Sequence, residues 1–413
     1  SYQIEGGVAE GGRGRSVWDV FCEQPGRIKD GDTGEVACDH YHRYLEDIAL
    51  MADLSLDAYR FSIAWPRIQP DATGAVNAEG LAFYDRLIDG LLAAGIEPVP
   101  TLFHWDTPQV LEDEGGWLNR DITDRFADYA SVLATHFGDR VKRWITLNEP
   151  VVVTLLGHAI GMHAPGKTLG FESLSVAHHQ LLAHGKAVQA MRAAGAGNIG
   201  IANNHAPIWR ADDSAEAEQA ASFYDVLYNR LFADPILLGT WPMEGLELGF
   251  PGYQDTDLAT ISTPIDWYGI NYYNPQRIGP PGSNAGVVNP ELERAQMPSE
   301  LPFEFMDITG YERNDFGWPI IPAGFTELLT GMKERYGDRL PPIMITENGG
   351  AFKEQPDESG RVNDQRRIDY LASHLRAIKD AMDAGVDVRG YFQWSLMDNF
   401  EWAEGYSQRF GLV

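Results

Sequence analysis

Short runs of β-branched and aromatic residues alternate along this chain with longer stretches of helical periodicity. The runs read as strands are 58–65, 96–105, 143–150, 198–207, 266–273, 342–350 and 388–398. Several are apolar almost throughout, the pattern of a strand covered on both faces. Between them, as in 82–95, 124–138 and 366–385, apolar residues recur at helical spacing and a glycine closes each stretch. Buried strands separated by helices predict the α/β class, a parallel sheet wrapped by helices. Seven runs predict a (β/α)8 TIM barrel with one strand unaccounted for, a single domain over 1–413. A doubly wound open sheet is the alternative. It wants a glycine-rich phosphate loop after an early strand, and the glycines of 6–14 follow no strand. Segment 274–298, rich in Pro, Gly and Asn, reads as a long loop on the face where barrels carry their sites.

Composition narrows the partners. There are 60 acidic against 32 basic residues, a formal charge of −28. Such a surface repels nucleic acid and anionic membrane. No stretch approaches the roughly 18 apolar residues of a membrane helix. Two cysteines, Cys22 and Cys38, exclude a disulfide framework. With no signal peptide visible, a cytoplasmic location is expected.

The candidate chemistry lies where the strand runs end. Arg60, His104-Trp105, Asn148-Glu149, Asn204-His205, Asn271 with Tyr273, Glu347-Asn348 and Trp394 place polar or aromatic side chains at one end of seven runs. Any one of these has a packing explanation. Together, in a barrel, they converge on one pocket. Two of the runs, RWITLNEP and PIMITENGG, end on a glutamate, Glu149 and Glu347. A carboxyl pair in a pocket suggests glycoside hydrolysis, one protonated to serve the leaving oxygen and the other ionised.

The motifs YQIEG (2–6), YRFSIAWPRI (59–68), LFHWDTP (102–108), TLNEP (146–150), GINYY (269–273), ITENG (345–349) and WSLMDNFEWAEGYSQRFGL (394–412) carry a closer likeness. The chain resembles the glycoside hydrolase family 1 β-glucosidases from Tyr2 to Leu412. TLNEP and ITENG, in this order and at this separation, are the specific pair. The resemblance implies a (β/α)8 barrel that hydrolyses terminal β-D-glucosyl residues with net retention and no cofactor or metal. Small β-glycosides and cello-oligosaccharides are the implied substrates. It makes Glu149 the acid/base at the end of the fourth strand and Glu347 the nucleophile at the end of the seventh. That count restores a first strand before Ser1, and the family pattern adds a last helix after Val413. Retention predicts carboxyls about 5–5.5 Å apart.

By the same resemblance Gln3, His104, Asn148, Glu401 and Trp402 hold the sugar hydroxyls, with Trp105 and Asn271 in the same shell. Trp394 forms the floor under the ring and Trp318 a platform for the leaving group. Arg60 and Tyr273 flank Glu347 and orient it, the cation favouring the carboxylate form. Glu401 argues against 6-phosphorylated sugars, which an acid would repel. A β-galactosidase or β-fucosidase of the same family is the alternative activity, and a sugar-binding protein without catalysis is the rival from another class. Cys38, His40 and His42, and His178, His179 and His184, stand at tempting metal-ligand spacing, but neither group completes a zinc signature.

Overall fold

The computed structural model describes residues 2–72, 74–283, 295–298 and 300–413. Its main sheet has seven parallel strands in the order β1 (Ala58–Ser62), β2 (Glu97–Phe103), β3 (Trp144–Asn148), β4 (Ile199–Asn204), β6 (Trp267–Asn271), β9 (Ile343–Glu347) and β10 (Val388–Tyr391). Each strand lies within one of the seven predicted runs. Neighbours in space are also neighbours along the chain once the intervening elements are set aside, the arrangement of a (β/α)8 barrel wall. Among the described residues β1 and β10 do not pair. A cavity of about 590 Å³ lies between them, lined in part by Gln3, Arg60, Tyr391 and Trp394.

Helices Ala78–Ala93, Ile122–Phe137, Leu174–Ala193, Pro322–Tyr336 and Gln365–Asp383 return the chain between strands. Three of them are those predicted at 82–95, 124–138 and 366–385. Their apolar faces meet the sheet in one large cluster that includes the fully buried Trp18, Trp65, Trp117 and Trp144. β3, β6 and β9 are buried at every residue, which is why they read as continuous apolar runs.

The predicted runs overshoot the strands at their C-terminal ends. After β1 the chain turns into the short helix Trp65–Ile68, with Pro66 at its start. The run 388–398 is a strand only to Tyr391. Segment 274–298 needs a correction within its described part. It opens with β7 (Gln276–Gly279), the centre of a second sheet with β5 (Ile208–Arg210) parallel to it and β8 (Glu304–Met306) antiparallel. These strands have three or four residues each, too few for a periodic signal, and their partners come from distant segments. Residues 284–294 lie outside the described part.

Candidate active site

The C-terminal ends of the parallel strands open into one cavity of about 200 Å³. Ten of the predicted site residues are distributed around it. His104, Trp105, Glu149, Tyr273, Trp318, Glu347, Trp394, Glu401 and Trp402 line it, and Asn148, fully buried, sits behind His104.

Glu149 is delivered by a break in the backbone. β3 ends at Asn148, and Glu149 takes a left-handed conformation at φ 45° and ψ 64° before Pro150 starts a helical turn. A non-glycine residue there is strained, by on the order of 1 kcal/mol or more, and such strain concentrates at functional sites. The residue before a proline also disfavours the right-handed helical region, so the strand cannot run smoothly into a helix. The Glu149 amide donates to the Ala202 carbonyl at 2.8 Å, which anchors the turn to β4. Its carboxyl receives Asn271 Nδ2 at 2.6 Å and Asn204 Nδ2 at 3.1 Å, both on Oε1. Burial and the charge of Glu347 hold its proton affinity well above the ordinary carboxylate range, against the opposing hydrogen bonds and Arg60. With Oε1 accepting twice, the proton belongs on Oε2.

Glu347 ends β9 in a contrasting setting. Arg60 Nη1 donates to its Oε1 at 2.6 Å and the Tyr273 hydroxyl to its Oε2 at 2.7 Å. Both pairings are charge-assisted, the strong kind. Arg60 is itself clamped, by the Thr346 carbonyl at 2.9 Å and by Asn148 Oδ1 at 2.6 Å. Asn271 closes the circuit: its Nδ2 reaches Asn148 Oδ1 at 3.1 Å as well as Glu149, and Thr346 Oγ1 donates to its Oδ1 at 2.6 Å. The two glutamates are therefore tied through Asn271, Asn148 and Arg60. One carboxyl faces neutral amides and the other a cation and a phenol. That difference equips one to carry a proton and the other a negative charge.

Around the pair stand groups with hydrogen-bonding capacity to spare. Asn148 spends its Oδ1 on Arg60 and Asn271 and one amide hydrogen on His104 Nε2, 3.1 Å away, leaving one hydrogen without a partner among the described residues. Burial and Arg60 depress the proton affinity of His104, so it is neutral, and with Nε2 accepting it carries its hydrogen on Nδ1. Trp105 Nε1 donates to the Asn148 carbonyl at 2.9 Å, and its ring packs on Trp402 at 4.5 Å. Trp402 lies in turn 4.4 Å from Trp18, so the aromatic wall is continuous with the core. Glu401 has a buried Oε2 with no hydrogen-bond partner among the described residues. Burial, then the charge of Glu347, push its pKa up to about 8, against a hydrogen bond from Trp394. Gln3 donates through Nε2 to Asn399 Oδ1 at 3.2 Å and to the Phe400 carbonyl at 3.0 Å, while its buried Oε1 has no partner among the described residues. It lies on the wall of the cavity between β1 and β10, which shares His104 and Trp394 with this one. Trp318 is stacked on Phe316 at 4.2 Å and stands 5.2 Å from Tyr273 at the mouth.

Other strand-end residues part company with the site. His205 bonds Asn229 and Tyr268 and does not line the cavity. Asn204, its neighbour, does line it and touches Glu149, an assignment that strand-end reasoning reached by position but not by role. Tyr228, which donates to Asn204 Oδ1 at 3.1 Å, comes from a helical segment with no strand-end mark. The two histidine groups are occupied otherwise. His40 pairs with Asp47, His42 with Asp39 and Glu10, His178 with Asp257 and His184 with Thr146. Among the described residues no group of three or more potential ligands is placed to hold a metal ion.

A parallel barrel wall with two unlike carboxyls at its C-terminal rim defines the class, a two-carboxylate glycosidase scaffold. Comparison with known proteins makes this specific: the model of glycosyl hydrolase family 1 matches residues 1–413, and the chain belongs to that family. It is 45% identical to β-glucosidase A of Acetivibrio thermocellus, covering 100% of this chain and 90% of that one. Against the 1,4-β-D-glucan glucohydrolase of Thermotoga neapolitana the identity is 45%, covering 100% and 94%. The family 1 β-glucosidase of Thermotoga maritima superposes with a TM-score of 0.92 at 44% identity, covering 100% of this chain and 90% of that one.

Proposed function

We propose that this protein is a retaining exo-acting β-glucosidase that releases terminal β-D-glucosyl units from small β-glycosides and cello-oligosaccharides. The observation that carries the reading is the contrast between Glu149 and Glu347, two buried carboxyls in one cavity with opposite hydrogen-bond environments. In the first step Glu347 attacks the anomeric carbon as the bond to the glycosidic oxygen breaks, and Glu149 gives its proton to that oxygen. The leaving group departs as an alcohol and the sugar is held as an ester on Glu347. Loss of the Glu347 charge then lowers the proton affinity of Glu149, which takes a proton from water as the water attacks from the side the alcohol left. Free glucose leaves as the β-anomer.

Recognition is read from the unspent groups. The free amide hydrogen of Asn148 suits the 2-hydroxyl, a contact that tightens in the transition state. Gln3 Oε1 accepts, His104 Nδ1 donates, and Glu401 takes the hydroxyls at the far side of the ring, with Trp394 beneath it. Trp318 receives the next sugar. Two free cysteines support a reducing, cytoplasmic setting, and no described helix is long and apolar enough to cross a membrane. Proton NMR of p-nitrophenyl β-D-glucoside hydrolysis tests the reading. The β-anomer of glucose should appear first and the α-anomer only by mutarotation. Initial α-glucose would mean inversion and would remove Glu347 as nucleophile.

A further inference from the structure

The helical stretch 215–237 does not wind regularly. Ala215–Asp225 and Leu231–Leu237 are α-helical, and between them Val226–Arg230 forms a wider π turn. Such turns are rare inside α-helices and gather at functional sites. This one is pinned to the chain just after β4. Asn229 Oδ1 accepts from the Ala206 amide at 3.2 Å and pairs with His205 Nδ1 at 3.0 Å, while its Nδ2 donates to the Ala206 carbonyl at 2.9 Å. His205 and Ala206 directly follow Asn204, so the turn is held in register with that residue. It presents Tyr228 to the catalytic cavity, with the Tyr224 ring stacked on it at 5.5 Å. From there the Tyr228 hydroxyl donates to Asn204 Oδ1, and Asn204 Nδ2 donates to Glu149 Oε1, each at 3.1 Å.

We infer that Tyr228 is a positioning residue for proton transfer by Glu149, acting through the side chain of Asn204. The inference rests on the glucosidase reading above. An amide has a donating and an accepting end, and its neighbours decide which way it turns. Asn271 is set by a cation. Arg60 can only donate, so Asn148 Oδ1 accepts from it, and the Asn271 amide then donates to Asn148 and to Glu149 alike. Asn204 reaches Glu149 from β4, and its orientation falls to the Tyr228 phenol, which donates to Oδ1 and so turns the amide hydrogens toward Glu149. With two donors on Oε1, the Glu149 proton stays on Oε2, and the carboxylate left after transfer is stabilised. If the Asn204 amide turned over, its Oδ1 would face Oε1 and draw the proton there. A proton held between Glu149 and Asn204 is withheld from the leaving oxygen.

The test compares Tyr228→Phe, Asn204→Ala and the double variant with the parent on two substrates. Methyl β-D-glucoside has a leaving group that needs a proton, and 2,4-dinitrophenyl β-D-glucoside has one that does not. Tyr228→Phe should lower kcat on the methyl glucoside about five- to tenfold, the size of one lost hydrogen bond, with KM changed by less than about twofold. On the dinitrophenyl glucoside kcat/KM should change by less than about twofold, which also shows that the variant is folded. Asn204→Ala should give the same split between substrates, and adding Tyr228→Phe to it should cost nothing further, because the two residues act in series. An equal loss on both substrates, or no loss on either, overturns the inference. So does a Tyr228→Phe loss that persists undiminished in the Asn204→Ala background. Glu149→Ala is the reference for the underlying reading. If that variant fails to separate the two substrates, Glu149 is not the acid and the reading itself falls.

Discussion

At the scale of single residues, the two glutamates are the same chemical group made different by what touches them. Glu149 has two neutral amides on one oxygen, and burial beside Glu347 favours its protonated form; Glu347 has Arg60 and Tyr273. Removing either should fail differently. Glu149→Ala should be mild for the first step with nitrophenyl leaving groups, which need little protonation, and severe for alkyl glucosides and for hydrolysis of the ester. Glu347→Gly should abolish turnover of every β-glucoside. Added azide should give a β-glucosyl azide with the first variant and an α-glucosyl azide with the second, and reversed anomers would exchange the two roles. The pH dependence has a fixed sign. The first step needs Glu149 protonated, and burial beside Glu347 raises its proton affinity, so kcat/KM should fall as pH rises through the raised pKa. In Glu149→Ala, assayed with 2,4-dinitrophenyl β-D-glucoside, that alkaline limb should disappear. A limb that persisted unchanged would belong to another group.

At the scale of elements, strand ends and their following turns set how firmly each recognition group is held. Gln3 is on an N-terminal loop, yet both hydrogens of its amide are taken by the turn after Trp394, through Asn399 Oδ1 and the Phe400 carbonyl. Asn399 is fixed in turn by donating to Ser395 Oγ and the Met397 carbonyl, both at 3.1 Å. On the proposed function, Asn399 is a positioning residue that engages the Gln3 amide hydrogens and leaves Oε1 to accept from the sugar. Asn399→Leu should raise KM for p-nitrophenyl β-D-glucoside about five- to twentyfold, a contact worth on the order of 1–2 kcal/mol, with a smaller change in kcat. Asn399→Asp, which keeps the acceptor for Gln3, should recover part of the KM. Equal KM values in the two variants would dissociate Asn399 from Gln3. The same scale explains what was legible in the sequence. Strands buried on both faces write continuous apolar runs, and a polar residue ending such a run stands out, so β2, β3, β4, β6 and β9 were readable with the residues at their rims, while β1 and β10, less buried, were readable from their aromatic and β-branched residues. The short strands β5, β7 and β8 write no period. Tyr228 lines the cavity from a helical segment and Asn399 reaches the site only by holding Gln3, and neither position carries a strand-end mark in the local pattern.

For the whole molecule the governing quantity is the excess of acid over base. With 60 acidic and 32 basic residues, cations are shared: Arg140 bridges Asp85, Asp89 and Asp139, and Arg366 sits among Asp315, Glu354 and Glu312. The unpaired carboxylates repel one another, and salt screens that repulsion over a Debye length of about 10 Å at 0.1 M and about 3 Å at 1 M. Salt also weakens exposed ion pairs, but those are worth at most about 1 kcal/mol each and are outnumbered here. The melting temperature at pH 8 should therefore rise by a few degrees between roughly 0.02 and 0.5 M NaCl. A buried carboxyl adds a separate pH term. Asp106 is fully buried, neither of its oxygens has a hydrogen-bond partner among the described residues, and burial raises its pKa to about 7. A carboxyl whose folded pKa is raised keeps its proton when the unfolded chain has lost it. Stability from this group is full below the unfolded pKa, near 4, and is lost as pH climbs toward 7. Asp106→Asn cannot ionise, so it should melt higher than the parent at pH 8 and close to it at pH 5, a relative gain on the order of a few kcal/mol. Salt should leave that gain nearly unchanged, because a buried group is poorly screened. The two terms are thus separable in one grid of melting temperatures, salt against pH, for the parent and the variant. A parent destabilised by added NaCl at pH 8 would mean that the ion pairs, not the repulsion, dominate the surface. A variant no more stable than the parent at pH 8 would mean that Asp106 is ionised and solvated in the folded protein.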